Sequence, residues 1–270
     1  IGGQEFDWVF DNVYDWERGT TAEQVEGTAR AFGDGIQRYV FMSSCAVYGA
    51  GLDLTEDRPL VPDDFPEPYS AQKAASERAL FRMHRDEGFP AVTLRPPFVY
   101  GPDNPFYREA FFWDRMRDDR QIIVPGDGSR LMHLVFVNDL VEACLLAASN
   151  DAAVGEGFNV GHRRPITQLA LVQTLGATAG IEPRTVLLPR EDILAAGGEV
   201  IGENLYFGIY YDMPSITEDV SKVERVLGLT PTEFETGLAD TYAWYLANHE
   251  RPEIDYTFED SLLARGAVGS

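Results

Sequence analysis

The chain has 270 residues, 44% of them hydrophobic and 12% aromatic, enough to bury a core and too apolar for a disordered chain. Its 44 Asp and Glu against 22 Lys and Arg give a formal charge of −22, which repels nucleic-acid phosphates and anionic membrane surfaces. No apolar run approaches the roughly 18 residues that cross a bilayer, and nothing at the start reads as a secretory leader. Two cysteines, Cys45 and Cys144, are too few for a disulfide framework or a zinc site, so a reduced, cytoplasmic protein is expected.

The first strand expected is Trp8 to Asn12. Thr20 and Thr21 suit a helix N-cap before a helix from Ala22 to Phe32. Tyr39 to Met42 is a continuous apolar strand of the kind buried on both faces of a parallel sheet. A polar loop is expected from Leu52 to Pro68, then a helix from Tyr69 to Asp86, the strand Ala91 to Leu94 and the turn Arg95-Pro96-Pro97. Strands alternating with helices at this spacing argue for βαβ units and a doubly wound α/β sheet. Beyond Gly101-Pro102 the pattern predicts helices over Phe106 to Met116, Asp139 to Ala148, Ile166 to Ala179, Glu218 to Leu227 (Thr217 as N-cap) and Phe234 to Ala247. Strands are expected at Ile122 to Val124, Leu134 to Val137 and Phe158 to Val160. The stretch after Arg251 has weak periodicity and reads as a mobile tail.

Three side chains carry the chemistry. Tyr69 and Lys73 form Y-x-x-x-K at the start of a helix, one turn apart on one face. An ammonium beside a phenol favours the phenolate, which suits the Tyr to proton transfer. Ser44 follows the strand Tyr39 to Met42 at its carboxyl end, where open α/β sheets place ligands. With 12 Tyr and two Lys, Lys73 and Lys222, chance supplies about 0.09 such Tyr–Lys spacings. A surface lysine on an amphipathic helix is the plain alternative, but this chain uses Arg almost everywhere else.

These segments resemble the extended short-chain dehydrogenase/reductases of the NAD-dependent epimerase/dehydratase (sugar-nucleotide epimerase) family. The match runs through RYVFMSSCAVYG (38–49), YSAQK (69–73), LRPPFVYGP (94–102), FVNDL (136–140), FNVG (158–161) and LGLTP (227–231). The resemblance implies a Rossmann-type doubly wound parallel sheet with a smaller mixed substrate lobe. Residues 1–105, with 130–150 returning, would form the first part, 106–250 the lobe and 251–270 the tail. It implies that Ser44, Tyr69 and Lys73 are catalytic. NAD or NADP would be held by Tyr69, Lys73, Pro97, Asn12 and Gln24, and a sugar-type substrate would meet Cys45, Phe98 and Arg130. It also implies a homodimer through the helices 22–32 and 69–86.

The departures are specific. The family's opening strand, G-x-x-G-x-x-G turn and helix are missing, so the chain is expected to be an N-terminally truncated piece with weak or no cofactor binding. Gly155-x-Gly157-x-x-x-Gly161 imitates the turn but contains a strand. The strand Trp8 to Asn12 would then present an unpaired edge. Dehydratases of the family carry Asp-Glu after the catalytic Thr, where this chain has Cys45-Ala46, so dehydration is not expected. Phe98 stands where epimerases place Asn, and Arg130 lies two residues from the position of their diphosphate Arg. The chain is also similar to the chloroplast stem-loop RNA-binding branch of the family, which supplies the rival expectation of a binding protein with a vestigial site.

The other candidates have plainer readings. Cys45 suits a small pocket-lining residue, His133 a structural histidine, and Phe106, Tyr107, Phe111, Phe112 and Trp113 core packing. His84, His162 and His249 show no ligand spacing, and no metal site is expected. An acidic surface nearly without lysine suits high ionic strength, where screening offsets self-repulsion. Molar KCl is therefore expected to raise the thermal midpoint well above its value in dilute buffer; equal midpoints would mean that the charge serves solubility alone.

Overall fold

The computed structural model describes residues 6–266. In chain order its first half runs β1 (Trp8–Asp11), α1 (Ala22–Phe32), β2 (Arg38–Met42), β3 (Gly51–Leu54), α2 (Pro68–Glu87), β4 (Ala91–Arg95), β5 (Phe98–Tyr100), α3 (Glu109–Arg117) and β6 (Ile122–Pro125). There follow β7 (Leu131–Met132), β8 (Leu134–Phe136), α4 (Val137–Ser149), β9 (Gly157–Asn159), β10 (Ile166–Thr167), α5 (Gln168–Ala179), β11 (Thr185–Leu188) and α6 (Arg190–Ala195). The last elements are β12 (Ile216–Glu218), α7 (Ser221–Leu227), α8 (Phe234–Asn248) and α9 (Thr257–Gly266).

The chain divides into two units. The first comprises the residues up to Val99 with His133–Arg164 and Ile216–Thr232. Its centre is a parallel sheet in the order β1-β2-β4-β9. Alternate side chains of β2 serve opposite faces, as the two-residue period of a strand requires. Tyr39 and Phe41 pack with Val25 and Ala29 of α1 and Leu80 and Met83 of α2. Val40 packs with Val92, Leu94, Phe158, Ala143 and Ala147 of α4, and Val223 of α7. Helices cover both faces, so the doubly wound, Rossmann-type sheet is what the structure contains. Among the described residues β1 pairs only with β2, and its Trp8 and Phe10 are 40% and 42% exposed.

Local signals place the two helices of the first face. Thr21 accepts from the Gln24 amide, and the Gln24 side chain accepts in return from Thr21, a complete capping box. Pro68 opens α2, where Glu67 accepts from Tyr69 N at 3.0 Å and Ser70 N at 2.8 Å, and Gly88 closes it at φ 73°.

A buried polar network lies between α2 and the sheet. The Arg95 guanidinium holds both oxygens of Glu77 on α2, at 3.0 and 2.6 Å. It also donates to the Tyr48 hydroxyl at 2.7 Å, which donates to Asn159 Oδ1 at 2.7 Å. Asn159 in turn donates to the Leu54 carbonyl at 2.8 Å.

Several elements differ from the sequence expectation. The loop 52–68 begins as β3, which pairs in parallel with β12 from the far end of the chain. With Gly51 at φ 147° and Asp53 at φ 53°, this strand carries no regular alternation. Consequently the helix expected from Glu218 starts at Ser221, and Thr217 caps nothing: its hydroxyl accepts from Asp53 N at 2.8 Å. The helix expected from Phe106 starts at Glu109, because Asn104 captures the Phe106 amide in a turn. Residues 151–164 and 216–232 belong to the first unit rather than the lobe. Directly after the expected turn, Phe98–Tyr100 forms a further strand, β5, beside β8.

The second unit comprises Tyr100–Met132, Pro165–Ser215 and the chain from Glu233 onward. Here β6 pairs with β11 and β7 with β10. Phe111, Phe112 and Trp113 are fully buried, and the Trp113 indole donates to Leu175 O at 3.1 Å, so this part of the aromatic run is core. Buried Asp114 gathers the hydroxyls of Tyr107 and Tyr245, each at 2.7 Å, and the Arg251 guanidinium at 2.9 Å. Within the expected mobile tail, Thr257–Gly266 instead forms α9, with Glu259 paired to Arg115 at 2.6 Å, and residues 267–270 lie outside the described residues.

Removing one partner of a buried ion pair strands the other charge, at a cost of about 3–5 kcal/mol. Glu77→Ala is expected to destabilise the protein by about that amount in urea unfolding, and a loss under about 1 kcal/mol would show that Arg95 finds water.

Candidate active site

The chain leaves β2 at its carboxyl end through Ser43 and Ser44, both still buried. There Ser43 N donates to Leu94 O at 2.8 Å and Cys45 N to Pro96 O at 3.0 Å. Between them Ser44 is extended and caps a single 3-10 turn over Cys45–Tyr48, accepting from Ala46 N at 3.2 Å. The first turn of α2 presents Tyr69 and Lys73 to the same strand end, with the Tyr69 phenol in hydrogen-bonding reach of the Ser44 hydroxyl. Lys73 is buried and donates to the Met42 carbonyl at 2.7 Å, its ammonium 4.7 Å from the Phe41 ring centroid and 5.3 Å from that of Tyr14. The structure therefore brings Ser44, Tyr69 and Lys73 together.

The electrostatics differ from the sequence expectation that Lys73 would lower the phenol. Burial pushes Tyr69 up to about 12, with the Ser44 hydrogen bond acting against it. Burial also brings Lys73 down to about 8, against the pull of Asp11 and Glu77. The ammonium serves the Met42 carbonyl, so by itself the site stores a proton on the phenol.

The remaining candidates fall in different places. Asn12 is exposed and lines a cavity of about 210 Å³ with Phe10, Asp11, Met42 and Cys144. Pro97 and Phe98 are half-buried just beyond β4, and Phe98 N donates to His133 O at 3.2 Å. The Gln24 amide is spent on its capping box. Cys45 starts the 3-10 turn, its thiol pushed well up by burial and by Glu218. Arg130 belongs to the second unit, where it pairs with Asp212 at 3.4 Å and donates to Met213 O at 3.1 Å. His133 is structural: Nδ1 accepts from Glu218 N at 3.0 Å, Nε2 meets His162 O at 2.6 Å, and burial lowers its pKa to about 4. Gly157 lies in β9 against Arg95 and Thr93, so the glycine-rich imitation is sheet.

These donors fit one end of a nicotinamide dinucleotide. Ser44, Tyr69 and Lys73 converge on a point at the sheet's carboxyl edge, which suits ribose and carbinol hydroxyls. For the pyrophosphate, the first turns of α1 and α2 are already capped by Thr21 and Glu67. Neither helix start is open to an anion.

Two features escaped the sequence reading. Tyr14 and Trp16, in the loop after β1, pack on Tyr69: Trp16 stacks at 5.4 Å and 14°, and Tyr14 meets it edge-on at 4.9 Å. The signal was an aromatic pair two residues apart directly beyond a strand's carboxyl end. Glu218 is the other, a buried carboxyl whose two oxygens have no hydrogen-bond partner. No local pattern announces it.

The model of the NAD dependent epimerase/dehydratase family matches residues 19–161. The chloroplast stem-loop binding protein of 41 kDa b from Arabidopsis thaliana is 30% identical over 266 residues, 96% of this chain and 65% of that protein. The dTDP-glucose 4,6-dehydratase of Xanthomonas campestris is 30% identical over 217 residues, 78% of this chain and 58% of that enzyme. The chain thus spans about 58–65% of the length of these two relatives. A solved UDP-glucuronic acid 4-epimerase from Bacillus cereus, in complex with NAD, superposes with a TM-score of 0.69 at 19% identity. That match covers 91% of this chain and 76% of the other and bears on the fold.

Burial, reinforced by Glu56, holds the Glu218 carboxyl well above 4.5, with Arg95 pulling the other way. The fold keeps its proton while the unfolded chain gives it up, so this group costs stability increasingly as pH rises above 4.5. Glu218→Gln is expected to gain stability over wild type between pH 5 and pH 8 in urea unfolding. A difference independent of pH would show that the carboxyl is ionised in the fold.

Proposed function

The chain belongs to the NAD dependent epimerase/dehydratase family, and from that premise we propose that it serves NAD(P)-dependent epimerisation or dehydrogenation of a secondary alcohol on a sugar or sugar-nucleotide-like substrate. The observation that carries this reading is the convergence of Ser44, Tyr69 and Lys73 at the carboxyl end of β2. Ser44 holds the alcohol oxygen, and Tyr69 in its phenolate form takes the hydroxyl proton. Lys73, brought down to about 8 by burial, anchors the ribose side. When bound, the nicotinamide supplies the hydride acceptor for the same carbon. A hydride returned to the opposite face would give the epimer, and a ketone released with Tyr69 protonated would give the oxidised product.

Asn12 and Pro97 flank the same edge and are the further residues assigned to the cofactor, while Cys45 and Phe98 are assigned to the substrate side. Cys45-Ala46, in place of two acidic residues, favours epimerase or dehydrogenase chemistry over water loss. Phe98, lacking an amide, argues against an ordinary UDP-sugar. A second reading, stem-loop nucleic-acid binding, draws on the likeness to the chloroplast protein over 96% of the chain. The −22 charge opposes it.

The test pairs calorimetric titration of NAD and NADP with turnover of candidate nucleotide sugars. Tyr69→Phe is expected to lower kcat by about 10²–10⁴-fold, the scale of a lost acid–base group, while cofactor heats persist. Unchanged turnover rejects the assignment. Absence of cofactor binding with retention of a stem-loop RNA on filters at physiological salt favours the second reading.

A further inference from the structure

The loop between β1 and α1 is built with more care than a connection needs. Asp15 O accepts from Gly19 N at 2.7 Å, Asp15 N donates to the Thr20 hydroxyl at 3.0 Å, and the Asp15 carboxylate takes the amides of Glu17 and Arg18 at 3.0 Å. Gln72 on α2 anchors the loop from below: its Oε1 accepts from the Tyr14 hydroxyl at 2.7 Å and from Thr20 N at 3.1 Å. Gly19, at φ 78°, is needed there, since a Cβ would fall 2.3 Å from the Gln72 amide.

What this framework holds is Trp16, which remains 64% exposed. Its ring lies flat on Tyr69, centroids 5.4 Å apart and 14° from parallel, and Tyr14 closes the corner edge-on to both at 4.9 Å. Leaving a large indole in water is unfavourable, and Trp16 is too exposed to serve the core. Its flat face lies on the ring of the proposed acid–base residue.

We propose that Trp16 is a positioning residue: stacked on Tyr69, it fixes the phenol in line with Ser44 and shuts water from the ring's open face. The proposal rests on Tyr69 being the acid–base group, but it concerns how that group is held rather than what substrate it serves. Removing the indole admits water to the phenol, which then ionises more readily. The groups acting on the phenol are Ser44 and Cys45 from the turn after β2, Tyr14 from the loop and Glu67 at the start of α2, with Lys73 one turn further along that helix. None of these is changed by a substitution at Trp16.

The test needs neither cofactor nor substrate. Protein labelled with ¹³Cζ-tyrosine is titrated by NMR between pH 7 and pH 11, with Tyr69→Phe identifying the Tyr69 resonance. In wild type, where burial places Tyr69 at about 12, that resonance should stay nearly flat across the window. In Trp16→Ala it should titrate with a midpoint displaced toward the ordinary 10, and in Trp16→Phe, which keeps a stacking ring, it should stay close to wild type. Gln72→Leu, which leaves the indole but cuts the anchor, should move the midpoint the same way by a smaller amount. A Tyr69 resonance that is as flat in Trp16→Ala and Gln72→Leu as in wild type overturns the proposal. So does a Trp16→Phe protein that titrates like Trp16→Ala. Loss of the enzymatic reading would appear separately, as unaltered turnover in Tyr69→Phe.

Discussion

Arg95 leaves the end of β4 with its guanidinium enclosed by protein, and an enclosed cation must be answered on every side. Glu77 answers it with both carboxylate oxygens, Tyr48 with a hydroxyl, and Tyr48 passes the bond on to Asn159. Those residues come from α2, from the turn after β2, and from β9. The same helix carries Tyr69 and Lys73, and the same turn begins at Ser44. The register between helix and strand that brings the hydroxyls within reach is therefore set by a polar network several ångströms below them. Directionality is the reason it is polar: apolar side chains would hold α2 against the sheet, but they would let it slide.

Above that network the site is shaped by exclusion of water. Lys73 exchanges hydration for the Met42 carbonyl and two ring faces, and its pKa falls to about 8; Tyr69 exchanges hydration for Ser44 and the Trp16 ring, and its pKa rises to about 12. The two shifts converge: each favours the neutral form of its group. An acid–base pair so placed changes protonation when a ligand alters its surroundings, which is the condition that proton transfer to and from a carbinol requires. The acidic surface, by contrast, sits far outside this balance and acts on solubility and salt response.

Much of this was legible along the chain because it is encoded over short distances. Thr21 as a cap and the apolar run before Met42 state a helix start and a buried strand within a few residues, and the observed α1 has the bounds that the pattern predicts. The four-residue spacing of Tyr69 and Lys73 is itself a statement of shared helical face. Where reading failed, a distant partner had overruled the local pattern. β3 is a strand because β12 lies beside it, more than 160 residues away, and that pairing withdrew Thr217 from the cap position. The apparent tail became α9 because Glu259 finds Arg115.

Local patterns along the chain specify the alternation of strands and helices, the bounds of α1, and Ser44, Tyr69 and Lys73 as a set. What each member of that set touches depends on packing. Packing aimed an N–H of Lys73 at the Met42 carbonyl, laid Trp16 on Tyr69, and buried Glu218 with neither oxygen paired. The division follows the physics: hydrogen bonds and side-chain periodicity within one turn or one strand are written locally. Desolvation is a property of everything that packs around a group, and it exists only once the chain has closed.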